Sequence, residues 1–344
     1  MATDSKANDE HQNPLDLRLV RYAVTLAEEL HFGHAAARLV IAQQTLSAQI
    51  GELEHRLGVT LFVRDRRSVA LTTAGMVFVE GGRRLLADAA DLVRQARGTT
   101  RPVRIDVITE GLTSALAAQE LRARLPEIVI EIVQSQGLTA GLQQVKDGDL
   151  DLTFGRVHGY AAMPRELRHM LIRLDPIGVV LPAGHELARL AQVPVLDLAD
   201  TPLLVHTAVQ AEDWEDWIEQ FISQFGLTVG RRLRGHGRGA VDSAVLAYRM
   251  PALGPLTVVP PPGLVVRPLS EPVPLCPVSV VWANGHKMQA SGLADNVEAL
   301  LKTLVEIADS RDWRRTPAQS WWLPAMDLST LKPLLSNEDF RYAN

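Results

Sequence analysis

The sequence predicts an α+β multidomain protein, with an N-terminal winged helix-turn-helix followed by a larger α/β module. Three observations carry this. Between His31 and Gly75, apolar helical patterns run into a strand, a basic turn and a second strand. Beyond residue 101, strand and helix patterns alternate at the spacing of βα units. Between the two regions lies a hinge-like stretch, Gly98 to Pro102 (GTTRP).

Composition sets outer limits. The chain has 344 residues, 47% hydrophobic and 22% charged, enough for two or three cored domains. Its formal net charge of -5 excludes a general polyanion binder, so any nucleic-acid contact must be a local basic patch. The single cysteine, Cys276, excludes an intrachain disulfide and a two-thiol switch. It sits in the apolar run VPLCPVSVVW, where burial is expected, and a reducing cytoplasmic location fits. No apolar run reaches the roughly eighteen residues of a membrane span, so no membrane partner is expected. Residues 1–14 (MATDSKANDEHQNP) lack the apolar core of a signal peptide and are expected to be a disordered arm.

Residues 15–72 carry the winged helix-turn-helix. From Leu15 to Leu30, Val20, Ala23, Val24, Ala27 and Leu30 recur at helical spacing. Gly33 interrupts, and Ala35, Ala36 and Leu39 form a short second helix. From Gln43 to Leu57 the apolar stripe is Leu46, Ile50, Leu53 and Leu57. Gln43, Gln44, Ser47, Ala48, Gly51 and Glu54 lie off it. Glutamine pairs bidentately with adenine, serine reaches several base edges, and the start of such a helix meets the bases. Gln43, Gln44, Thr45 and Ser47 are therefore the candidate readers. Gly58 suits a helix C-terminus. Strands are expected at Val59 to Val63 and Val69 to Leu71, around the turn Arg64-Asp65-Arg66-Arg67. Arg64, Arg66 and Arg67 are candidate phosphate or minor-groove contacts. A short charge run is often only a solvated loop, but directly after a helix-turn-helix the contact reading is preferred.

Residues 73–100 repeat Val79, Gly82, Leu86, Ala89, Val93 and Ala96 at three and four, an a/d-like seam. An ordinary amphipathic helix on its own domain would read the same way. Gly81 and Gly82 weaken it by about 1 kcal/mol each relative to alanine and permit close helix approach.

The module at 101–309 reads as strand Val103 to Val107, helix Leu112 to Leu125, strand Ile128 to Val133, helix Leu138 to Lys146 and strand Leu150 to Phe154. A second series has strands at Ile177 to Leu181 and Leu203 to His206, then helix Glu212 to Phe225 and strand Thr228 to Leu233. Helix Ala240 to Tyr248 follows, with strands at Leu256 to Val259, Leu264 to Pro268 and Val278 to Ala283 and a last helix from Gln289 to Ala308.

Taken together these residues are recognisable. Leu19, Ala27, Glu28, Phe32, Ala35, Ala36, Leu39, Gln43, Leu46, Ser47, Gln49, Ile50, Leu53, Glu54, Leu57 and Gly58 stand at fixed spacing, continued by Leu61, Phe62, Arg64, Arg67, Leu71, Thr72 and Gly75. This pattern resembles the LysR-type transcriptional regulators, and the resemblance extends to about residue 309. It implies an antiparallel linker helix for dimerisation and a two-subdomain, periplasmic-binding-protein-like α/β sensor. Subdomain 1 would take about 101–170 and 270–309, and subdomain 2 about 171–269. The crossovers would lie near Arg168 to Leu174 and Leu264 to Leu269. The resemblance further implies promoter DNA, a small-molecule effector, a homodimer or homotetramer, and RNA polymerase as partners. Four positions depart from the family's habit: Ala42, Gln44, Ala48 and Gly51 stand where Ser, Pro, Arg and often Arg are usual. Two customary basic contacts are thus missing from the reading helix. Near Met250 the run MPALGPLTVVPPP has Ala252 in place of a customary glycine.

Ligands of open α/β units bind beyond the carboxyl ends of strands and at helix N-termini. That selects Thr109, Thr113 and Ser114, then Ser135 and Thr139, then His206 and Thr207. Their hydroxyls suit a small carboxylate or another polar effector, although Thr113 and Thr139 could equally be helix caps. No cofactor is expected. An enzyme finds no support: there is no CxxC, HExxH, Walker loop or GxGxxG, and His31 and His34 are only three apart. His158, His169, His185 and His206 are scattered, so catalytic and metal residues are expected to be none. The alternative function is an architectural DNA-binding protein with a degenerate sensor. Residues 310–344 form a C-terminal extension beyond the resemblance. It holds Trp313, Trp321 and Trp322, which are expected to pack back on the module or a dimer mate rather than dock a partner or cover the cleft.

Overall fold

The computed structural model describes residues 15–64, 69–97, 101–134, 137–157, 163–207, 212–234, 238–284 and 293–335. The expected arm at 1–14, Arg66, Arg67, Ser135 and His158 lie outside the described residues. The chain forms two compact units, residues 1–100 and 101–344. No described helix is long and apolar enough to cross a membrane.

In the first unit, α1 (Leu17–Glu29) starts at Asp16, whose carboxylate accepts from the Arg18 N–H. α2 (Phe32–Arg38) starts at His31, whose Nδ1 accepts from the Gly33 and His34 N–H groups at 3.1 and 3.3 Å. α3 (Gln43–Leu57) buries Leu46, Ile50 and Leu53 completely against Leu19, Ala23, Leu26, Phe32 and Ala35. Gly58, at φ 68°, ends it in the left-handed region. The wing is β1 (Phe62–Arg64) antiparallel to β2 (Val69–Leu71). β1 starts three residues later than the Val59 expected from the sequence. The Val59 N–H still serves the helix end, bonding the Glu54 carbonyl, and the Leu61 and Phe62 N–H groups go to the Glu54 carboxylate. The Val59 and Leu61 donors are spent before the ladder begins, and Phe62 opens it with its N–H on Glu54. α4 (Thr73–Ala96) follows.

The second unit opens with β3 (Val103–Asp106), α5 (Thr113–Arg124), β4 (Ile130–Val133), α6 (Leu138–Asp147) and β5 (Thr153–Gly155). β3 and β4 are parallel, and an Ile105–Leu152 bridge links them toward β5. β6 (Leu167–Pro182) is one continuous 16-residue strand that runs through Pro176. Next come β7 (Val193–Pro194), β8 (Leu203–Thr207), α7 (Glu212–Phe225), β9 (Val229–Arg234), α8 (Arg238–Tyr248) and β10 (Ala252–Pro255). β11 (Leu264–Ser270), β12 (Val273–Ala283) and α9 (Ala294–Ser310) complete the module. β9, β8 and β10 run parallel, while β6 is antiparallel to β10, β11 and β12, so the sheet is mixed.

Two differences from expectation bear on the site. The strand expected at Leu256 to Val259 lies instead at β10, because Ala252, Leu253 and Gly254 pair with Val180, Val179 and Gly178 while Val259 is exposed. The return crossing runs through β12, after rather than within Leu264 to Leu269. β11 pairs with the Gly178–Pro182 end of β6, and β12 continues along β6 from Pro176 to Leu167. β6 and β12 therefore tie two cores together. One is built around Ile105, Leu121, Ile172, Val280 and Leu304, the other around Val179, Leu181, Trp217, Phe221 and Leu253.

The C-terminal segment packs onto this module. The Trp313 carbonyl accepts from the Leu174 N–H, and the Arg173 guanidinium sits 4.9 Å over the Trp313 ring. β13 (Trp321–Trp322) adds in parallel to β12. Trp322 meets Trp217 and Phe221 edge-on at 5.5 and 5.2 Å. α10 (Ala325–Leu335) buries Leu331 against Leu171, Leu174 and Leu275.

Candidate nucleic-acid interface and effector cavity

In the first unit, α3 hides its apolar stripe and turns Gln43, Gln44 and Thr45 to solvent, with Ser47 half-buried beside them. Its N-cap, Ala42, is extended at φ -70° and ψ 142° and makes no side-chain cap. The N-cap side chain therefore does not compete with a phosphate for the first-turn N–H groups. Glu54, also off the stripe, faces inward. Its Oε1 accepts from the Leu61 and Phe62 N–H groups at 2.7 and 3.0 Å, fixing where the wing leaves the helix. The β1 backbone places Arg64 at the edge of the wing. α4 is divided. Val79 packs on Val20 and Val24 of α1, and a Cβ on Gly82 would lie 2.8 Å from Val20 Cγ1. Further along, Leu85, Leu92 and Val93 are exposed.

The second unit encloses a cavity of about 550 Å³, within the range of small-molecule sites. Both halves of the module wall it. Thr109 comes from the loop after β3, Thr113 and Ser114 from the start of α5, Gln134 from just after β4, and Gly155 and Arg156 from the end of β5. His206 follows from β8, Asp213 and Trp214 from α7, Leu253 to Pro255 from β10, and Asp175 and Cys276 from the crossing strands. Ile108, Leu112, Leu138, Phe154, Ile177 and Val278 supply an apolar lining.

Arg156, only 1% exposed, ties the two halves together. Its Nε donates to Asp327 Oδ2 at 2.8 Å. Its Nη1 donates to Asp216 Oδ2 at 2.7 Å and to the Asp213 carbonyl at 2.9 Å. Its N–H reaches Asp213 Oδ2 at 3.2 Å. Burial works against the charged guanidinium, but Asp327 and Asp216 outweigh it and hold the Arg156 pKa above its usual value. Asp175 accepts from the Thr113 hydroxyl at 2.7 Å and pairs with Arg173 Nε at 2.7 Å. Burial still raises its pKa. Burial raises Asp213 too, against the pull of the Arg156 and Trp214 N–H groups. It pushes the Cys276 thiol well up, which leaves that group un-ionised and poorly nucleophilic at neutral pH.

Of the residues selected from sequence, the cavity brings together Thr109, Thr113, Ser114 and His206. Thr139 stands off the wall with its hydroxyl on the Glu212 carboxylate, and the Thr207 hydroxyl donates to the Leu233 carbonyl at 3.3 Å. Neither Thr113 nor Thr139 is an N-cap; Leu112 and Gly137 hold those places. Strand-end reasoning did not select Arg156, Asp175, Asp213, Trp214 or Gln134. The acidic opening of α7, Glu212-Asp213-Trp214-Glu215-Asp216, was visible but reads as ordinary helix-dipole complementation. Among the described residues no group of three His, Cys, Asp or Glu side chains is placed to hold a metal ion.

Comparison with known proteins covers both units. Residues 17–76 match the family model described as bacterial regulatory helix-turn-helix protein, lysR family, and residues 96–307 match the LysR substrate binding domain. The transcriptional regulator XapR of Escherichia coli is 28% identical over 286 residues, 75% of this chain and 89% of that one. The small neutral protease regulatory protein of Streptomyces lividans is 30% identical over 322 residues, 92% and 89% of the two chains. Among solved structures, CbnR, a LysR family transcriptional regulator, superposes with a TM-score of 0.67 at 17% identity over 86% of this chain and 99% of that one. CbnR complexed with its target DNA gives 0.66 at 17% over 86% and 100%. A full-length OxyR variant from Pseudomonas aeruginosa gives 0.58 at 22% over 85% and 95%.

Proposed function

The chain belongs to the LysR family of transcriptional regulators, and from that premise we propose how its two units divide the work. The first unit reads promoter DNA through Gln43, Gln44, Thr45 and Ser47, with Arg64, Arg66 and Arg67 gripping phosphates or the minor groove. The second binds a small effector in the 550 Å³ cavity. Effector binding shifts the balance between arrangements of the two halves that Arg156 bridges, and with it the geometry of a dimer or tetramer on DNA. The exposed Leu85, Leu92 and Val93 of α4 are the surface a second copy would cover. Contact with RNA polymerase and a cytoplasmic location go with this role, and no catalysis is assigned.

The observation that carries the DNA reading is the division of α3, with three fully buried aliphatics on one side and exposed Gln43, Gln44 and Thr45 at its start. Selecting genomic fragments with the full chain tests it. A selected fragment should bind about a thousandfold or more tighter than random DNA. Gln44→Ala should cost that fragment about tenfold and random DNA little. Arg66→Ala should weaken all sequences and flatten the salt dependence by about one phosphate contact. Equal binding to selected and random DNA would refute sequence-specific reading.

A further inference from the structure

We propose that the cavity takes a small organic cation, an amine or amidine on an apolar body, and that Asp327 of the C-terminal segment sets this preference by occupying Arg156. The proposal rests on the reading of the cavity as the effector site. It follows from which charges the fold has already neutralised.

Arg156 is the guanidinium on the wall, and two carboxylates already hold it, Asp327 at Nε and Asp216 at Nη1. Arg173, the next guanidinium, pairs with Asp175. Two guanidiniums thus face four carboxylates, Asp175, Asp213, Asp216 and Asp327. Asp175 and Asp213 line the cavity itself. Asp175 is 5% exposed, with Oδ1 sealed from solvent beside Arg173 and Oδ2 held by Thr113, so Asp213, half-buried at the start of α7, is the lining carboxylate a ligand can reach. Burial disfavours the charged form of both lining aspartates, so a cation placed against Asp213 would favour its anion and be held by it. Trp214 adds an aromatic ring to the same wall, a surface that cations favour.

An incoming carboxylate meets the opposite situation. Arg156 offers it little, because only Nη2 of that guanidinium lacks a hydrogen-bond partner. Nη2 is sealed from solvent while Asp327, itself 0% exposed, holds the head in place. Asp327 lies on α10, beyond residue 307 where the family match ends. A segment outside the matched module therefore decides whether the cavity's guanidinium is available to anions.

The test uses the full chain and three probes that share a benzyl body: benzylamine, phenylacetate and benzyl alcohol. Binding is followed by calorimetry and by tryptophan fluorescence, with selective DNA binding measured on the same preparation. The wild type should bind benzylammonium at least about tenfold tighter than phenylacetate, a difference of about 1.4 kcal/mol. Asp327→Asn keeps the shape and an oxygen for Nε but removes the charge, and should move that ratio at least about tenfold toward phenylacetate. Asp213→Asn should weaken benzylammonium and leave benzyl alcohol unchanged. Phenylacetate binding the wild type as tightly as benzylammonium, no binding of any probe, or a ratio unmoved by Asp327→Asn each overturns the proposal. If DNA selectivity survives such a result, only the ligand class falls; if it is absent, the regulatory reading falls with it.

Discussion

Two adjacent glycines in α4 should respond to the same substitution with opposite signs. In a helix interior, Gly→Ala gains about 1 kcal/mol from reduced backbone freedom in the unfolded chain. At Gly81 a Cβ would meet nothing within 4 Å, so Gly81→Ala should realise that gain. At Gly82 a Cβ would sit 2.8 Å from Val20 Cγ1 and 3.3 Å from Val24 Cγ2. Favourable carbon contacts lie at about 3.5–4.0 Å. Val20, Val24 and Val79 are 1%, 7% and 3% exposed, leaving the valines little room to move aside. Overpacking costs about 1–3 kcal/mol, so Gly82→Ala should end between neutral and about 2 kcal/mol destabilising. The full chain has two compact units and need not unfold in one step. Amide exchange of peptides from α1 and α4 reads the effect locally. Gly81→Ala should slow exchange about fivefold, and Gly82→Ala should leave it unchanged or speed it. Adding Val20→Ala should restore part of the loss, a favourable coupling of about 1 kcal/mol in a double-mutant cycle. If Gly82→Ala protects these amides as well as Gly81→Ala does, α4 is not packed tightly on α1 and the close-approach reasoning is wrong.

Other expectations are as direct. Ala42→Ser should stabilise the start of α3 by about 1 kcal/mol, because that N-cap lacks a side-chain acceptor; unchanged amide exchange over 43–46 would show that the cap cannot form there. Glu54→Ala strands the Leu61 and Phe62 N–H groups and should cost about 1–3 kcal/mol, seen as faster exchange in β1 with α3 unaffected; equal loosening of both would assign the residue to general stability. Asp175 and Asp213 have folded pKa values raised by burial above the usual 3.8. Above 3.8 and up to those raised values, the folded chain holds more protons than the unfolded one, so their contribution to stability falls as pH rises. Asp175→Asn and Asp213→Asn should therefore flatten this fall when melting is followed upward from about pH 4; a deficit relative to wild type that grows with pH would contradict the sign.

The readable features are those whose cause is local. α3 begins at Gln43 and ends at Leu57, and α7 runs from Glu212 to Phe225, as their stripes and the αL glycine at 58 dictate. Strand-end logic found Thr109, Thr113, Ser114 and His206 because strand termini in α/β units converge on one crevice. It also selected Thr139 and Thr207, which sit at strand ends by sequence but spend their hydroxyls on Glu212 and the Leu233 carbonyl. The apolar run at Leu256 to Val259 looked like a strand; pairing with Val179 and Val180 placed the strand at Ala252–Pro255 instead. The Trp-rich end was legible as sticky surface, and its place on β12 against Trp217 was not.

By itself, then, the sequence determined the winged helix, the exposed start of its third helix and the alternation that builds an α/β module, because periodicity records which side of an element is buried. It does not record what that side is buried against. Only the tertiary structure divided α4 between Val20 and open surface, ran β6 and β12 through both halves of the module, and set Arg156 against Asp327, 171 residues away. An ion pair between residues so far apart leaves no mark in local spacing. Here it also decides the charge of the cavity.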